Sequence, residues 1–419
     1  MKRSLSAFFS SLFLLTAAAT PAFALAPSPF LIAFAGDDWD SHDEDFVVVF
    51  DLATGKPLSS TPIGHKKSMP HHFEYEMPPA GLHLFANAHH AEETLLLDVS
   101  DPKRIRIANR LKPPAPYRFT HDYKRLPNGN MLVGFLRSEG ESPESGDDTL
   151  PGGHGGIAEL TATGKLVRSS SAAADGLPHP VRPYSFLPLP QLDRLVTTSA
   201  TMMEKSSADV VQIWRLSDLH LLHTLPVPGG KRSDGTELKE AASSTFAARL
   251  MHDNSVLVSS YGCAFYRLTG AGGSAPKVDL VRTISADAKP GDRGSCGVPV
   301  LLGHWWLLPI GKEKRLATFD VSDPTSPREV ASLSIPDFAP HWLASDPKSD
   351  RLVLGAEAGG EEGMYLLRID LSNGRTRFDD RIAGSKGRAG YLDFDRESWP
   401  HGKTGKAWAH AALFLPADR

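Results

Sequence analysis

Short apolar stretches alternate with polar turns along almost the whole chain. One recurring phrase is a short apolar strand, a polar turn, and a second strand in which apolar and polar residues alternate. Such period-two alternation predicts half-buried β-strands, and the Gly-, Asp- and Pro-rich turns between them predict hairpins. The phrase occurs seven times, at 47–61, 95–111, 156–170, 211–227, 264–284, 317–333 and 365–379.

A second hairpin phrase falls between copies of the first, with a histidine or aromatic start, a polar turn and a β-rich strand. It is found at 72–87, 121–135, 184–199, 246–260 and 341–355. Asp51 and Asp370 occupy matching places in the first phrase, so each repeat unit has about 53 residues. Two hairpins in a unit of this length are typical of one propeller blade. The sequence therefore predicts an all-β fold, a seven-bladed β-propeller, with a pair of β-sandwiches as the alternative.

The first 24 residues have the pattern of a secretory signal peptide. Lys2 and Arg3 precede a short apolar run, and an A-x-A cleavage site ends at Ala24. The run is shorter than the roughly 20 residues that span a bilayer. We expect export to the periplasm or the medium, with a signal peptide at 1–24 and a single propeller domain at 25–419.

The charge balance and the apolar stretches limit the classes of partner. The 45 basic and 49 acidic residues give a net charge of −4, whereas a nucleic-acid-binding protein would carry a basic excess. No other stretch reaches transmembrane length, so we expect no membrane span.

The chain has two cysteines, Cys263 and Cys296. An oxidising compartment permits a disulfide between them, and two free buried thiols are the alternative.

Several of the 17 histidines fall at equivalent places in the second phrase. His72, His121 and His341 each lie ten or eleven residues before the next strand, as Tyr184 does. In a propeller, equivalent positions form a ring around the axis, so these side chains are expected to face the central channel, where His71 adds a further donor. Neutral imidazoles suit Cu, Zn or Fe, while polar residues lining a wet channel are the alternative. His89 and His90 are expected to face solvent.

Six segments, in this order along the chain, resemble the selenium-binding protein / methanethiol oxidase family. They are a double-His segment, a second His-bearing hairpin, a Trp-containing strand, a Gly-Cys strand, an Asp-Val strand and a closing segment, at 71–102, 118–135, 209–227, 250–268, 317–330 and 399–414. The resemblance implies a seven-bladed propeller and, for bacterial oxidases of the family, an exported copper enzyme. That enzyme converts methanethiol, O₂ and water into formaldehyde, H₂S and H₂O₂.

The resemblance also implies a set of copper ligands, namely His71, His72, His121 and His410. His341 is an additional candidate that comes from the repeat alone. The expected function is therefore a copper-dependent oxidase acting on a small thiol or another small substrate. A non-catalytic periplasmic propeller that serves as a binding or interaction module is the alternative.

Overall fold

The computed structural model describes residues 26–36, 44–139, 153–202, 206–287, 294–357, 363–382, 384–403 and 405–417. The expected signal peptide at 1–24 lies outside them. Within the described residues the chain forms seven antiparallel sheets in a ring, which confirms the predicted seven-bladed β-propeller. No helix in this part of the chain is long and apolar enough to cross a membrane.

Each blade has four main strands, which follow one another from the axis outwards. Blade 1 consists of Trp408–Leu415, Phe30–Gly36, Phe46–Asp51 and Lys56–Pro62. Blades 2 and 3 consist of Pro70–Phe73, Leu84–Ala88, Glu93–Asp98 and Arg106–Leu111, and of Tyr117–Arg125, Met131–Ser138, Gly156–Leu160 and Leu166–Ser171. Blades 4 and 5 consist of Pro183–Leu189, Arg194–Ser199, Val210–Arg215 and His220–Pro226, and of Thr245–Leu250, Val256–Ser260, Ala264–Thr269 and Lys277–Thr283. Blades 6 and 7 consist of Val300–Leu302, Trp305–Ile310, Arg315–Asp320 and Arg328–Ser334, and of Pro340–Ser345, Arg351–Ala356, Gly363–Asp370 and Arg375–Phe378.

The remaining elements are short. A fifth strand, Tyr391–Asp393, pairs with Gly363–Asp370 of blade 7. The two small hairpins pair Gly230–Lys231 with Glu237–Leu238 and Ser398–Trp399 with Gly402–Lys403. Single 3₁₀ turns occur at Pro190–Leu192, Lys239–Ala242 and Ser385–Gly387.

The two sequence phrases are the two hairpins of a blade. The first phrase forms the outer pair of strands and the second forms the inner pair. The repeated aspartates hold the outer turns: the side chains of Asp51, Asp98, Asp320 and Asp370 each accept a hydrogen bond from the backbone N–H two residues on, at 2.8–3.1 Å. This Asx turn is the physical reason that the motif recurs.

The ring closes where the two ends of the described chain meet. Trp408–Leu415 pairs with Phe30–Gly36, so blade 1 combines strands from both ends. Beside this seam, Asp346 in the inner turn of blade 7 accepts hydrogen bonds from the backbone N–H and the hydroxyl of Ser28 (3.1 and 2.8 Å). Arg351 pairs with the same carboxylate at 2.9 Å, and its guanidinium lies over the ring of Phe414. All these polar groups are buried.

A disulfide joins Cys263 in blade 5 to Cys296 at the start of blade 6, with 5.2 Å between the Cα atoms. Because it closes a loop with a sequence separation of 33 residues, its loss is expected to lower the free energy of unfolding by about 3–4 kcal/mol. Urea unfolding of the Cys263→Ala/Cys296→Ala variant measures this loss. Dithiothreitol should lower the wild-type midpoint and leave the variant unchanged, since the chain has no other cysteine. Equal midpoints for wild type and variant would contradict the prediction.

Candidate metal centre

The innermost strands share an irregularity at the same place. In six of the seven blades, pairing with the second strand shifts by one residue. The shift falls within the first four residues of the innermost strand, except in blade 3, where it falls at the fifth and sixth. In a regular strand successive side chains point to opposite faces, whereas a bulge redirects the extra side chain. Each bulge contains a histidine or an aromatic residue. In the order of blades 1, 2, 3, 4, 5 and 7, these are His410, the His71–His72 pair, His121, Tyr184, Phe246 and His341.

These side chains form a closed ring of contacts around the axis. Successive ring centroids are 3.8–5.7 Å apart on the path from His121 through Tyr184, Phe246, His341, His410 and His71 back to His121. Blade 6 contributes Gly297 instead, because a Cβ there would lie 2.1 Å from the carbonyl oxygen of His341. The structure thus places all the histidines predicted for the channel in one buried group.

Three of these histidines could hold a metal ion together. His71, His72 and His121 each offer one ring nitrogen, and these atoms lie within 4.8 Å of one another. Both ring nitrogens of His71 and of His72 are buried without a hydrogen-bond partner among the described residues, as is Nε2 of His121. Unpaired buried polar atoms are costly and rare, so a convergent set of ring nitrogens fits a metal-binding role.

Two neighbouring groups position the ring of His121 and the backbone at His72. Nδ1 of His121 donates to the carbonyl oxygen of Tyr184 at 3.0 Å, which leaves Nε2 with a lone pair in the neutral ring. The amide of Asn87 bridges two strands: its oxygen accepts from the backbone N–H of His72, and its nitrogen donates to the carbonyl of His121, both at 2.7 Å. Asn87 is fully buried, and no pattern in the sequence pointed to it.

His410 and His341 extend the cluster on one side. The ring of His410 stacks on His71 with 3.9 Å between centroids and lies 4.9 Å from the ring of His341. Neither belongs to the tight group of three ring nitrogens. His410 therefore lies beside the group of three as a neighbouring imidazole, stacked on His71 as His72 also is, at 4.2 Å.

The expectation that His89 faces solvent is wrong. It is 1% exposed, with its ring 4.8 Å from that of His71 and 5.7 Å from that of His121. Its backbone N–H donates to the carbonyl of Met69, which draws the turn after the second strand of blade 2 onto the channel. Its neighbour His90 is exposed, as expected.

The cluster is built from neutral imidazoles. Burial lowers the pKa values of His71, His72 and His410 well below 6.5, and the neighbouring histidines lower them further. Burial also lowers the pKa of His121 to about 3, although the Tyr184 carbonyl opposes this shift. Neutral imidazole is the form that binds metals, and nitrogen donors without a carboxylate suit copper or zinc. The residues present therefore fit the metal that the resemblance implies.

The same shifts predict that the metal-free protein loses stability in mild acid. The folded-state pKa values lie below 6.5 while unfolded histidines titrate near 6.5, so the unfolded chain takes up more protons as pH falls. Asp122 acts in the opposite direction, because burial raises its pKa to about 7 and the folded protein takes up one proton there as pH falls. The several protons taken up by the unfolded histidines outweigh this one. We expect the melting temperature to fall steadily from pH 7 to pH 5, measured by circular dichroism after chelator treatment. A melting temperature that stays constant over this range would contradict neutral burial of the cluster.

An aromatic pair covers the cluster on the side where the innermost strands end. The Trp342 ring lies 5.0 Å from His72, and Tyr75 stacks on Trp342 at 5.2 Å. Tyr75 belongs to the connection 74–83, which has ten residues, whereas the other inner hairpins of the ring have connections of two to five residues. This long connection folds into the channel and separates the histidines from the space beyond.

No protein-family model and no curated protein matches the chain. Among solved structures, a hypothetical selenium-binding protein from Sulfolobus tokodaii is similar, with 13% identity and a TM-score of 0.67 over 92% of this chain and 93% of that one. A periplasmic gluconolactonase from Pseudomonas aeruginosa has 15% identity and a TM-score of 0.59 over 93% and 99%. A putative 6-phosphogluconolactonase from Bacteroides fragilis has 12% identity and a TM-score of 0.59 over 92% and 97%. At such identities the likeness shows the propeller fold alone.

Proposed function

We propose that this protein is an exported copper-dependent oxidase that acts on a small thiol, as methanethiol oxidases do. The observation that carries the proposal is the convergence of three buried imidazoles, those of His71, His72 and His121, whose facing nitrogens have no other partner. His410, which the resemblance implies, and His341, the additional candidate from the repeat, would complete the donor set. Bound copper would supply one-electron redox chemistry with O₂ and affinity for the thiol sulfur.

The protein's own groups account for the rest of the site. Asn87 fixes the strands that carry His72 and His121, so the donors are positioned before a metal arrives. The Tyr184 carbonyl selects the tautomer of His121 that presents Nε2. Trp342 lies against His72, and Tyr75 stacks on Trp342. His71, His72, His121 and His410 are at most 1% exposed. A dry, enclosed site of this kind protects reactive species from side reactions with water.

The activity is tested on protein purified from the periplasm after copper-supplemented expression. With methanethiol as substrate, an oxygen electrode should record O₂ uptake accompanied by equal amounts of H₂S and H₂O₂. The His72→Ala/His121→Ala variant should lose this activity. A matched variant, His220→Ala/His252→Ala, removes two exposed histidines outside the channel and should retain it.

Two results would overturn the proposal. Copper binding without thiol consumption would favour a copper-storage role. A protein that binds neither copper nor thiol would favour the non-catalytic binding or interaction propeller.

A further inference from the structure

A cavity of about 220 Å³ lies in the channel beyond Tyr75, towards the ends of the innermost strands. Tyr75 forms part of its wall and also lies against the candidate metal centre, with its ring 5.9 Å from that of His72. One aromatic side chain therefore separates this cavity from the histidines. A molecule held in the cavity needs only a displacement of Tyr75 to reach them.

The wall of the cavity carries a cation without a carboxylate partner. The guanidinium of Arg249 donates to the backbone carbonyls of Ala248 and Pro299, at 2.9 and 3.0 Å. No carboxylate among the described residues lies within ion-pair distance of it. A guanidinium has five N–H donors, so three remain for a ligand. Arg249 is thus a positive charge in the cavity wall that keeps donors for a ligand.

The other charged groups nearby do not neutralise Arg249. Lys124 and Glu76 both line the cavity and pair with each other at 3.1 Å, which leaves that pair close to neutral. The Asp122 carboxyl behind the wall accepts a hydrogen bond from the backbone N–H of Phe186 at 3.1 Å. Asp122 and Glu76 act on Arg249 only through space.

The rest of the wall is of mixed character. Apolar side chains line it at Phe186, Leu187, Val300, Leu301 and Leu343, and polar ones at Ser185 and Ser345. The volume is below the roughly 300–1,000 Å³ of pockets for drug-sized molecules. A cation, a group of apolar side chains near it and a small volume together favour a short aliphatic chain with an anionic end. Carboxylate is the anion that guanidinium binds in a bidentate manner.

We infer that this cavity binds a short-chain carboxylate through Arg249, and that the oxidase substrate is a short thiol with a carboxylate at its far end, such as 3-mercaptopropionate. The second half of this inference rests on the proposed function. The reaction balances as R–CH₂–SH + O₂ + H₂O → R–CHO + H₂S + H₂O₂. The carbon bearing sulfur is oxidised to the aldehyde, O₂ is reduced to peroxide, and water supplies the carbonyl oxygen.

The carboxylate site is tested first on chelator-treated protein, so that copper plays no part. Saturation-transfer NMR titration should show binding of propionate, and neither 1-propanol nor propylamine should compete with it. Arg249→Met should weaken propionate binding about 10- to 100-fold, the range expected for charge-assisted hydrogen bonds. Arg282→Met is the matched control, since Arg282 also donates to a backbone carbonyl but lies on the outermost strand of blade 5.

Equal binding of propionate by wild type and Arg249→Met would overturn the carboxylate site. So would equal binding of all three compounds by the wild type, a comparison that needs no variant to fold.

The second test compares kcat/KM for 3-mercaptopropionate and 1-propanethiol on copper-loaded protein. We expect at least a tenfold preference for the acid, abolished in Arg249→Met. Oxidation of both thiols at equal rates would overturn the substrate class while leaving the oxidase proposal standing. Propionate binding by a protein that takes up no copper would overturn the oxidase proposal and leave the carboxylate site standing.

Discussion

Protein produced with added copper is expected to carry about one copper ion per chain, and the His72→Ala/His121→Ala variant is expected to carry less than a tenth of that. The reason is that the two histidines supply two of the three ring nitrogens that lie within 4.8 Å of one another. Loss of a group that only orients a ligand already costs about 10- to 100-fold in metal affinity, so loss of two ligands should abolish retention through gel filtration. Atomic absorption on desalted protein gives the stoichiometry.

The comparison needs a variant that folds equally well without touching the channel. His220→Ala/His252→Ala meets this requirement, because both side chains are exposed, and it should bind copper like the wild type. Melting temperatures of the metal-free proteins check the fold of each variant. Full copper occupancy in the His72→Ala/His121→Ala variant would show that the metal binds elsewhere.

Asp346→Ala is expected to be the most damaging single change at the ring seam, lowering the free energy of unfolding by about 3–5 kcal/mol. The substitution leaves the buried cation of Arg351 without its partner and removes both acceptors for Ser28. Removing one member of a buried ion pair carries a cost of this size. Urea unfolding followed by tryptophan fluorescence measures it.

A neighbouring aspartate in the same turn provides the control. Asp350 pairs with Arg368 in a partly exposed position, where ion pairs contribute roughly 0–1 kcal/mol. Asp350→Ala should therefore cost less than about 1 kcal/mol. Similar losses in the two variants would mean that the turn itself, and not the seam contact, determines stability.

The sequence predicted the blades because local chemistry builds them. The outer turns depend on an aspartate that binds the backbone two residues on, at Asp51 and Asp370 for example, and such a contact leaves a short motif. The inner hairpin of blade 6 gave no such signal. Its channel position is Gly297, which has no side chain and is required by contact with the backbone of His341.

The parts of the site that the sequence did not predict depend on contacts between distant segments. Asn87 lies in a strand with no distinguishing motif, and its role depends on hydrogen bonds between its amide and backbone groups in two different blades. His89 reaches the channel only because its turn is bonded to the segment before the first strand of blade 2. The inward fold of the connection that carries Tyr75 is visible in the sequence only as extra length.

The strand Trp408–Leu415 links the candidate metal centre to the order of folding. It carries His410, and it pairs with a strand from the opposite end of the described chain. Pairing over such a separation requires closing a very long loop, and contacts of this kind form slowly. His410 therefore joins the other histidines only when the ring shuts. During refolding, the approach of His410 to His71, His72 and His121 would therefore mark the time at which the propeller closes.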